Sequence, residues 1–176
     1  MKRIMVIGVS PGVGKSIFAQ RLGDALGIDV YHLDSFFWKP GWVEATLEEF
    51  TAAQENIIEK ESWIIDGNYS NTFDLRVQHA DTIIYLELPR YVCLFRVLKR
   101  WLMHLGKKRP DLGCTEKLDW EFIKFIWTTY KPRIHKMQQR LEKLSQEKNI
   151  IVLKGTKEIN HYFNRGHSNS VESKGF

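Results

Sequence analysis

The sequence predicts an α/β fold in which a parallel sheet is covered by helices on both faces. Three observations predict it. Short apolar strands alternate with helical stretches along the chain. The run Gly8-Val9-Ser10-Pro11-Gly12-Val13-Gly14-Lys15-Ser16 joins the first apolar stretch to the first helical one. Two acids, Asp34 and Asp66, stand where the second and third strands end. Ligands of such sheets bind beyond the carboxyl ends of the strands, so the glycine-rich run and both acids converge on one edge.

The elements follow in order. Strand 1 spans Arg3 to Gly8, and the helix after it carries Ile17, Phe18, Leu22, Ala25 and Leu26 on one side before Gly27 closes it. Strand 2 is Asp29 to Leu33, ending at Asp34, and an aromatic loop runs from Phe36 to Trp42. Thr46 and Glu49 have capping-box spacing for a helix that turns Leu47, Phe50, Ile57 and Ile58 inward. Strand 3 is Trp63 to Ile65, followed by Asp66-Gly67 and a short helix bearing Arg76. Strand 4 runs from Thr82 to Leu88, and Pro89 opens a long helix to about Leu105.

A basic loop, Gly106 to Gly113, breaks that helix. The next helical stretch, about Leu118 to Glu147, bends before Pro132 and packs Trp120, Phe122, Phe125, Ile126 and Trp127 into the core. Strand 5 is Ile150 to Leu153, with a short helix at Thr156 to Phe163. These elements make one domain over residues 1–163, and the polar tail 164–176 reads as disordered.

The glycine-rich run is a phosphate-binding loop in its proper strand–turn–helix context. Gly12 and Gly14 let backbone N–H groups curl toward phosphate oxygens, and the start of the helix adds its positive dipole end. The nucleotide contacts are Gly12, Val13, Gly14, Lys15, Ser16 and Ile17. Lys15 is placed to reach the β- and γ-phosphates of ATP, and the Ser16 hydroxyl to ligate Mg²⁺. One position departs from the usual spacing: Val9 stands six residues before the lysine, where glycine is expected, and Gly8 precedes it. Either the loop is one residue longer or Val9 replaces the glycine. A longer loop that no longer holds nucleotide would leave a degenerate scaffold.

With 176 residues the chain has room for a proper core, and no apolar run is long enough to cross a bilayer. Met1-Lys2-Arg3 leads straight into the first strand, which argues against a signal peptide and for the cytoplasm. Cys93 and Cys114 suggest neither a disulfide framework nor a metal site, and the six histidines lack zinc spacing. Charge is uneven. Arg90 to Lys143 holds 14 Lys and Arg against 5 Asp and Glu, whereas the remainder holds 12 against 16. Such a segment faces polyphosphate or nucleic acid, or forms a solvated helix face.

The loop, His32-Leu-Asp-Ser-Phe-Phe-Trp-Lys-Pro-Gly-Trp-Val-Glu44, Ile64-Ile-Asp-Gly-Asn-Tyr69 and the run Leu88 to Arg100 together resemble the bacterial DNA topology modulation protein family. The resemblance extends to about Arg140 and implies a three-layer, adenylate-kinase-like P-loop NTPase fold with a five-stranded parallel sheet. It further implies an acceptor-binding segment over 34–61 and an arginine-rich lid over 106–113. The family's name describes a phenotype. The acceptor motif of adenylate kinases, Thr-Gly-acid, and their Asp-Gly-Phe-Pro-Arg after strand 3 are both missing, which speaks against AMP as acceptor.

Phosphoryl transfer needs alignment, charge neutralisation and exclusion of water. Asp66 is the candidate to hold the waters of Mg²⁺, and Asp34 to orient or deprotonate an acceptor hydroxyl; each could instead cap a helix or anchor a loop. Arg109 is the candidate finger, with Arg133 beside it, because a guanidinium binds phosphate oxygens in pairs. Arg96 and Arg100 share one helix face, and Arg76 is placed to grip the acceptor. Phe37 and Trp38 either stack on the acceptor or form a packed hinge. Two functions follow from these readings: a kinase moving the ATP γ-phosphoryl group to a small molecule or nucleotide, or an ATP-binding regulator acting on DNA without turnover. Phosphate-driven DNA binding would weaken steeply with salt.

Overall fold

The computed structural model describes the backbone of residues 1–103 and 120–168 and the side chains of 1–103 and 120–163. The expected lid, 106–113, with Arg109, lies outside the described residues, as does Cys114. The elements are β1 (Arg3–Gly8), α1 (Lys15–Leu26), β2 (Val30–His32), α2 (Leu33–Phe37), β3 (Trp38–Lys39), β4 (Val43–Glu44) and α3 (Leu47–Ile58). They continue with β5 (Trp63–Asp66), α4 (Phe73–His79), β6 (Thr82–Glu87), α5 (Arg90–Met103), α6 (Trp120–Leu144), β7 (Asn149–Lys154) and α7 (Gly155–Ser168). The final helix therefore runs past the Phe163 expected from sequence.

Five strands form one parallel sheet in the order β2-β5-β1-β6-β7. Its three central strands are apolar on both faces: Ile4 to Ile7, Trp63 to Ile65 and Ile83 to Leu86 are all buried, as burial between two helical layers demands. Of the two edge strands, β2 is half-buried throughout, and β7 has Leu153 buried, Ile150 and Ile151 half-buried and Asn149, Val152 and Lys154 exposed. Asp81 ties the amino ends of two neighbouring strands together. It accepts the backbone N–H groups of Lys2 at 2.8 Å and Arg3 at 2.9 Å, and the Thr82 hydroxyl at 2.7 Å.

On α1 the buried stripe is Phe18, Ala19, Leu22 and Gly23. Ile17 is 72% exposed, Leu26 42%, and Ala25 is exposed too, so none of the three joins the core as expected; Ile17 opens the helix beside the loop, about 100° round from Phe18. The Thr46–Glu49 capping box forms as read from sequence. Phe50, Ile57 and Ile58 go inward, but Leu47 stays exposed and Gln54 takes the buried position between them.

The aromatic stretch is more ordered than a loop. Leu33 to Phe37 form a short helix, and β3 pairs antiparallel with β4 around a turn in which Gly41 and Trp42 both have positive φ, 84° and 64°. The helix α6 runs through Pro132. Of the five apolar residues expected in the core from this helix, Ile126 is buried whereas Trp120, Phe125 and Trp127 are exposed. No described helix is long and apolar enough to cross a membrane.

Candidate active site

The sheet order places the carboxyl ends of β2, β5 and β1 side by side, with His32 opposite Asp66 and Asp66 opposite Val6. The turn from Val9 to Gly14 leaves the end of β1, and α1 begins at Lys15 with Gly14 as its N-cap. No side chain caps this helix and no acid occupies its first turn. Its first-turn amides and positive dipole end thus lie open to an anion.

Gly12 and Gly14 have φ of 81° and 99°, the left-handed region that glycine adopts without strain. Gly12 is also pressed against α5: a Cβ there would stand 2.3 Å from the Cys93 carbonyl oxygen. Position 9 has no need of a glycine. Val9 has no positive φ, is buried in the core, and its N–H donates to the Leu86 carbonyl at 3.0 Å, continuing the strand ladder. Gly8 meets a separate need, because Val13 and the stem of Lys15 fold over it. A Cβ at position 8 would lie 2.5 Å from Val13 Cγ1 and 3.2 Å from Lys15 Cγ.

Asp66 is buried at the tip of β5 and is held from two sides. The Ser16 hydroxyl donates to its Oδ2 at 2.7 Å, and His32 Nδ1 lies 2.6 Å from its Oδ1. A hydroxyl and a carboxylate in contact at the mouth of an open helix are hard oxygen ligands of the kind Mg²⁺ prefers, with phosphate oxygens and water completing its shell. Asp34 is exposed on the first turn of α2 and accepts the Tyr69 hydroxyl at 2.7 Å. Burial, then the Asp34 charge, push the Tyr69 phenol well above its ordinary value, so it remains a donor.

Lys15 connects these groups. Burial pulls its ammonium below the ordinary lysine value, Asp66 and Asp34 oppose that shift, and Arg133 reinforces it. Three of the expected site residues, Asp34, Asp66 and Arg133, therefore all act electrostatically on a fourth, Lys15. Arg133 is half-buried, with its guanidinium 4.5 Å from the centre of the Phe125 ring, and burial lowers its pKa.

Other expected residues are engaged differently. Arg76 is fully buried, and its guanidinium donates to the carbonyls of Gly67 at 3.0 Å, Tyr69 at 2.6 Å and Thr72 at 3.3 Å. It props up the loop after Asp66 from beneath rather than presenting a charge to an acceptor, and burial brings its pKa down to about 10. Arg96 donates to the Val13 carbonyl at 3.1 Å and so braces the phosphate loop from α5. Arg100 is half-buried one turn further on. Phe37 packs among Trp38, Phe50 and Tyr69 at centroid distances of 5.0, 5.2 and 4.8 Å, and Trp38 meets Trp42 at 5.3 Å. The rings of this cluster pack on one another edge-on or tilted.

Three site residues escaped the sequence reading: His32, Asn68 and Tyr69. Asn68 bonds Gly8 twice, accepting its N–H at 2.9 Å and donating to its carbonyl at 2.6 Å, so the loop after β5 pins the start of the phosphate loop. All three flank the acids already singled out. Their roles depend on β2 and β5 being neighbours, which spacing along the chain does not encode.

In sequence the chain matches no protein-family model, and no curated protein matches it. Among the solved proteins similar to it in structure over nearly its whole length are three kinases. A candidate kinase from Chloroflexus aurantiacus is 16% identical, with 96% of this chain and 98% of that one covered, at a TM-score of 0.59. A gluconokinase from Sinorhizobium meliloti is 17% identical, with 99% and 98% covered, at 0.52. A shikimate kinase from Bacteroides thetaiotaomicron is 16% identical, with 95% and 96% covered, at 0.51. These likenesses show that the chain has the fold of the P-loop kinases.

Proposed function

We propose that this chain is an ATP-dependent phosphotransferase that moves the γ-phosphoryl group of ATP to a hydroxyl of a small molecule. The observation that carries the reading is the contact of the Ser16 hydroxyl with the buried Asp66 carboxylate, at the open start of α1 and beside Lys15. Two proteins that share the fold are named as small-molecule kinases, a gluconokinase and a shikimate kinase. The motifs shared with the DNA topology modulation family support the same reading.

In this mechanism the amides from Gly12 to Ile17 and the Lys15 ammonium bind the β- and γ-phosphates. Ser16 and Asp66 would hold Mg²⁺, which supplies charge neutralisation on the phosphate oxygens when bound. Asp34, held in place by Tyr69, accepts the proton of the acceptor hydroxyl. The hydroxyl oxygen bonds to the γ-phosphorus, the bond from that phosphorus to the β,γ-bridging oxygen breaks, and ADP leaves with the electron pair. His32 fixes the Asp66 carboxylate, while Arg133, with Arg109 from the expected lid, stabilises charge on the transferring group.

The second function read from the sequence, a regulator that binds ATP and acts on DNA without turnover, is favoured by the name of the family the chain resembles and by the basic excess between Arg90 and Lys143. The decisive measurement is ATP consumption by the purified protein with Mg²⁺ over a panel of small alcohols, sugars, hydroxy acids and nucleosides. The expected result is ADP formation that depends on one acceptor, with Lys15→Ala abolishing both turnover and tight ATP binding. ATP binding at full strength in Lys15→Ala would overturn the site assignment. ATP binding without turnover on any acceptor would favour the regulator.

A further inference from the structure

A cavity of about 200 Å³ opens beside Gly8, between the carboxyl ends of β1 and β6 and the inner side of α6. Asn68 closes it from the loop after Asp66, so it adjoins both the phosphate loop and the strand tip that bears the metal candidate. Three cations line it from α6: Arg133, Lys136 and Arg140. Their spacing of three, four and seven residues keeps them on one helix face. Arg140 stacks 4.4 Å from the Phe73 ring and donates to the exposed Asp74 carboxylate at 3.3 Å, which leaves its charge at the cavity rim.

The floor holds an independent sign of a missing oxygen. Tyr85 lines the cavity, is only 1% exposed, and among the described residues its hydroxyl has no hydrogen-bond partner. A buried hydroxyl left unpaired is costly, and a ligand oxygen would remove that cost. Burial, before any neighbouring charge, holds this phenol protonated and hence a donor. Glu87, two residues along the same strand, acts on Tyr85 electrostatically but lies outside the cavity lining. The charged side chains that line the cavity are therefore its three cations, of which Arg140 is paired with Asp74 at the rim.

We infer that this cavity is the acceptor subsite, built for a small molecule that carries an oxyanion, whose charge meets Arg133, Lys136 and Arg140 while the Tyr85 hydroxyl donates to one of its oxygens. This inference deepens the kinase reading and rests on it. Size favours a class: drug-sized ligands fill about 300–1,000 Å³, so the cavity suits a small hydroxy acid or a phosphorylated polyol better than a nucleotide. The same cavity accounts for part of the basic excess of the segment without nucleic acid.

Three compounds of one carbon skeleton test it: glycerol, glycerate and glycerol 3-phosphate, titrated into the full chain with Mg²⁺ and a saturating non-hydrolysable ATP analogue. At least one of the two anions is expected to bind about tenfold or more tighter than glycerol, and the stronger of the two identifies the group as carboxylate or phosphate. Lys136→Gln combined with Arg140→Gln should weaken that anion about tenfold or more while moving the affinity for the ATP analogue far less. Tyr85→Phe should weaken the anion and leave the melting temperature unchanged or higher, because it removes an unpaired hydroxyl and keeps the ring. Equal binding of glycerol, no binding of either anion, or an unchanged anion affinity in both variants would overturn the inference. An equal loss of ATP-analogue affinity in the double variant would also overturn it, by giving the cavity to the nucleotide. Failure of the parent chain to bind the ATP analogue at all would overturn the kinase reading instead, and glycerate and glycerol 3-phosphate titrated without nucleotide would still report on the cavity.

Discussion

Lys15 carries its charge in surroundings that disfavour it until a polyanion arrives. Burial holds its folded pKa below the ordinary 10.5, against the pull of Asp66 and Asp34. The folded state therefore binds its proton more weakly than the unfolded chain. The cost is full below the folded pKa and fades as pH rises from there toward 10.5. Lys15→Met should make the unliganded protein more stable at neutral pH and reduce its gain in stability on the alkaline side, as urea melts at pH 7 and 9.5 would show. The same change should abolish ATP binding. Asp81 has the opposite sign. Burial pushes its carboxyl up, but the Arg3 N–H, the Thr82 hydroxyl and the Lys2 N–H hold it below 3.8. Its contribution is present above 3.8 and lost as pH falls through the folded value, so Asp81→Ala should cost about 1–3 kcal/mol at pH 7 and much less at pH 2.

At the scale of elements, the loop between β5 and α4 is held from both ends. One buried guanidinium satisfies three of its carbonyls, and Asn68 ties it to Gly8. Arg76→Leu keeps some bulk but leaves buried carbonyls unpaired, and should destabilise by about 3 kcal/mol or more in urea unfolding. A loss below about 0.5 kcal/mol would mean that solvent already serves those carbonyls. This role was hidden in the sequence, where an arginine after a strand-end acid looks the same whether it faces a ligand or the underside of a loop. Helix α6 was misread for a related reason: its apolar residues recur at helical spacing, yet Trp120, Phe125 and Trp127 are exposed. Periodicity reports that a face exists and not what covers it. The capping box and the central strands were legible because their signals are local: one hydrogen-bonded exchange, and runs of apolar residues.

Across the whole molecule, the parallel sheet and the gathering of the loop, Asp34 and Asp66 at one edge followed from alternation and from the rule for strand ends. The strand order did not, and with it went the adjacency of His32 and Asp66 and the cavity under α6. One further consequence concerns α5. That helix is fastened near its root, where Gly12 presses on the Cys93 carbonyl and Arg96 grips Val13, while Leu102 and Met103 are exposed at the other end. From Arg96 to Met103 the axis advances about 10 Å, so a tilt of roughly 10° at the fastening displaces the tip by about 2 Å. Phosphate drawn into the curl would thus work α5 as a cantilever and announce itself far from the γ-position. A fluorophore at Met103 should change its signal on addition of an ATP analogue alone, with no acceptor present; a silent label would mean that the root yields before the arm swings.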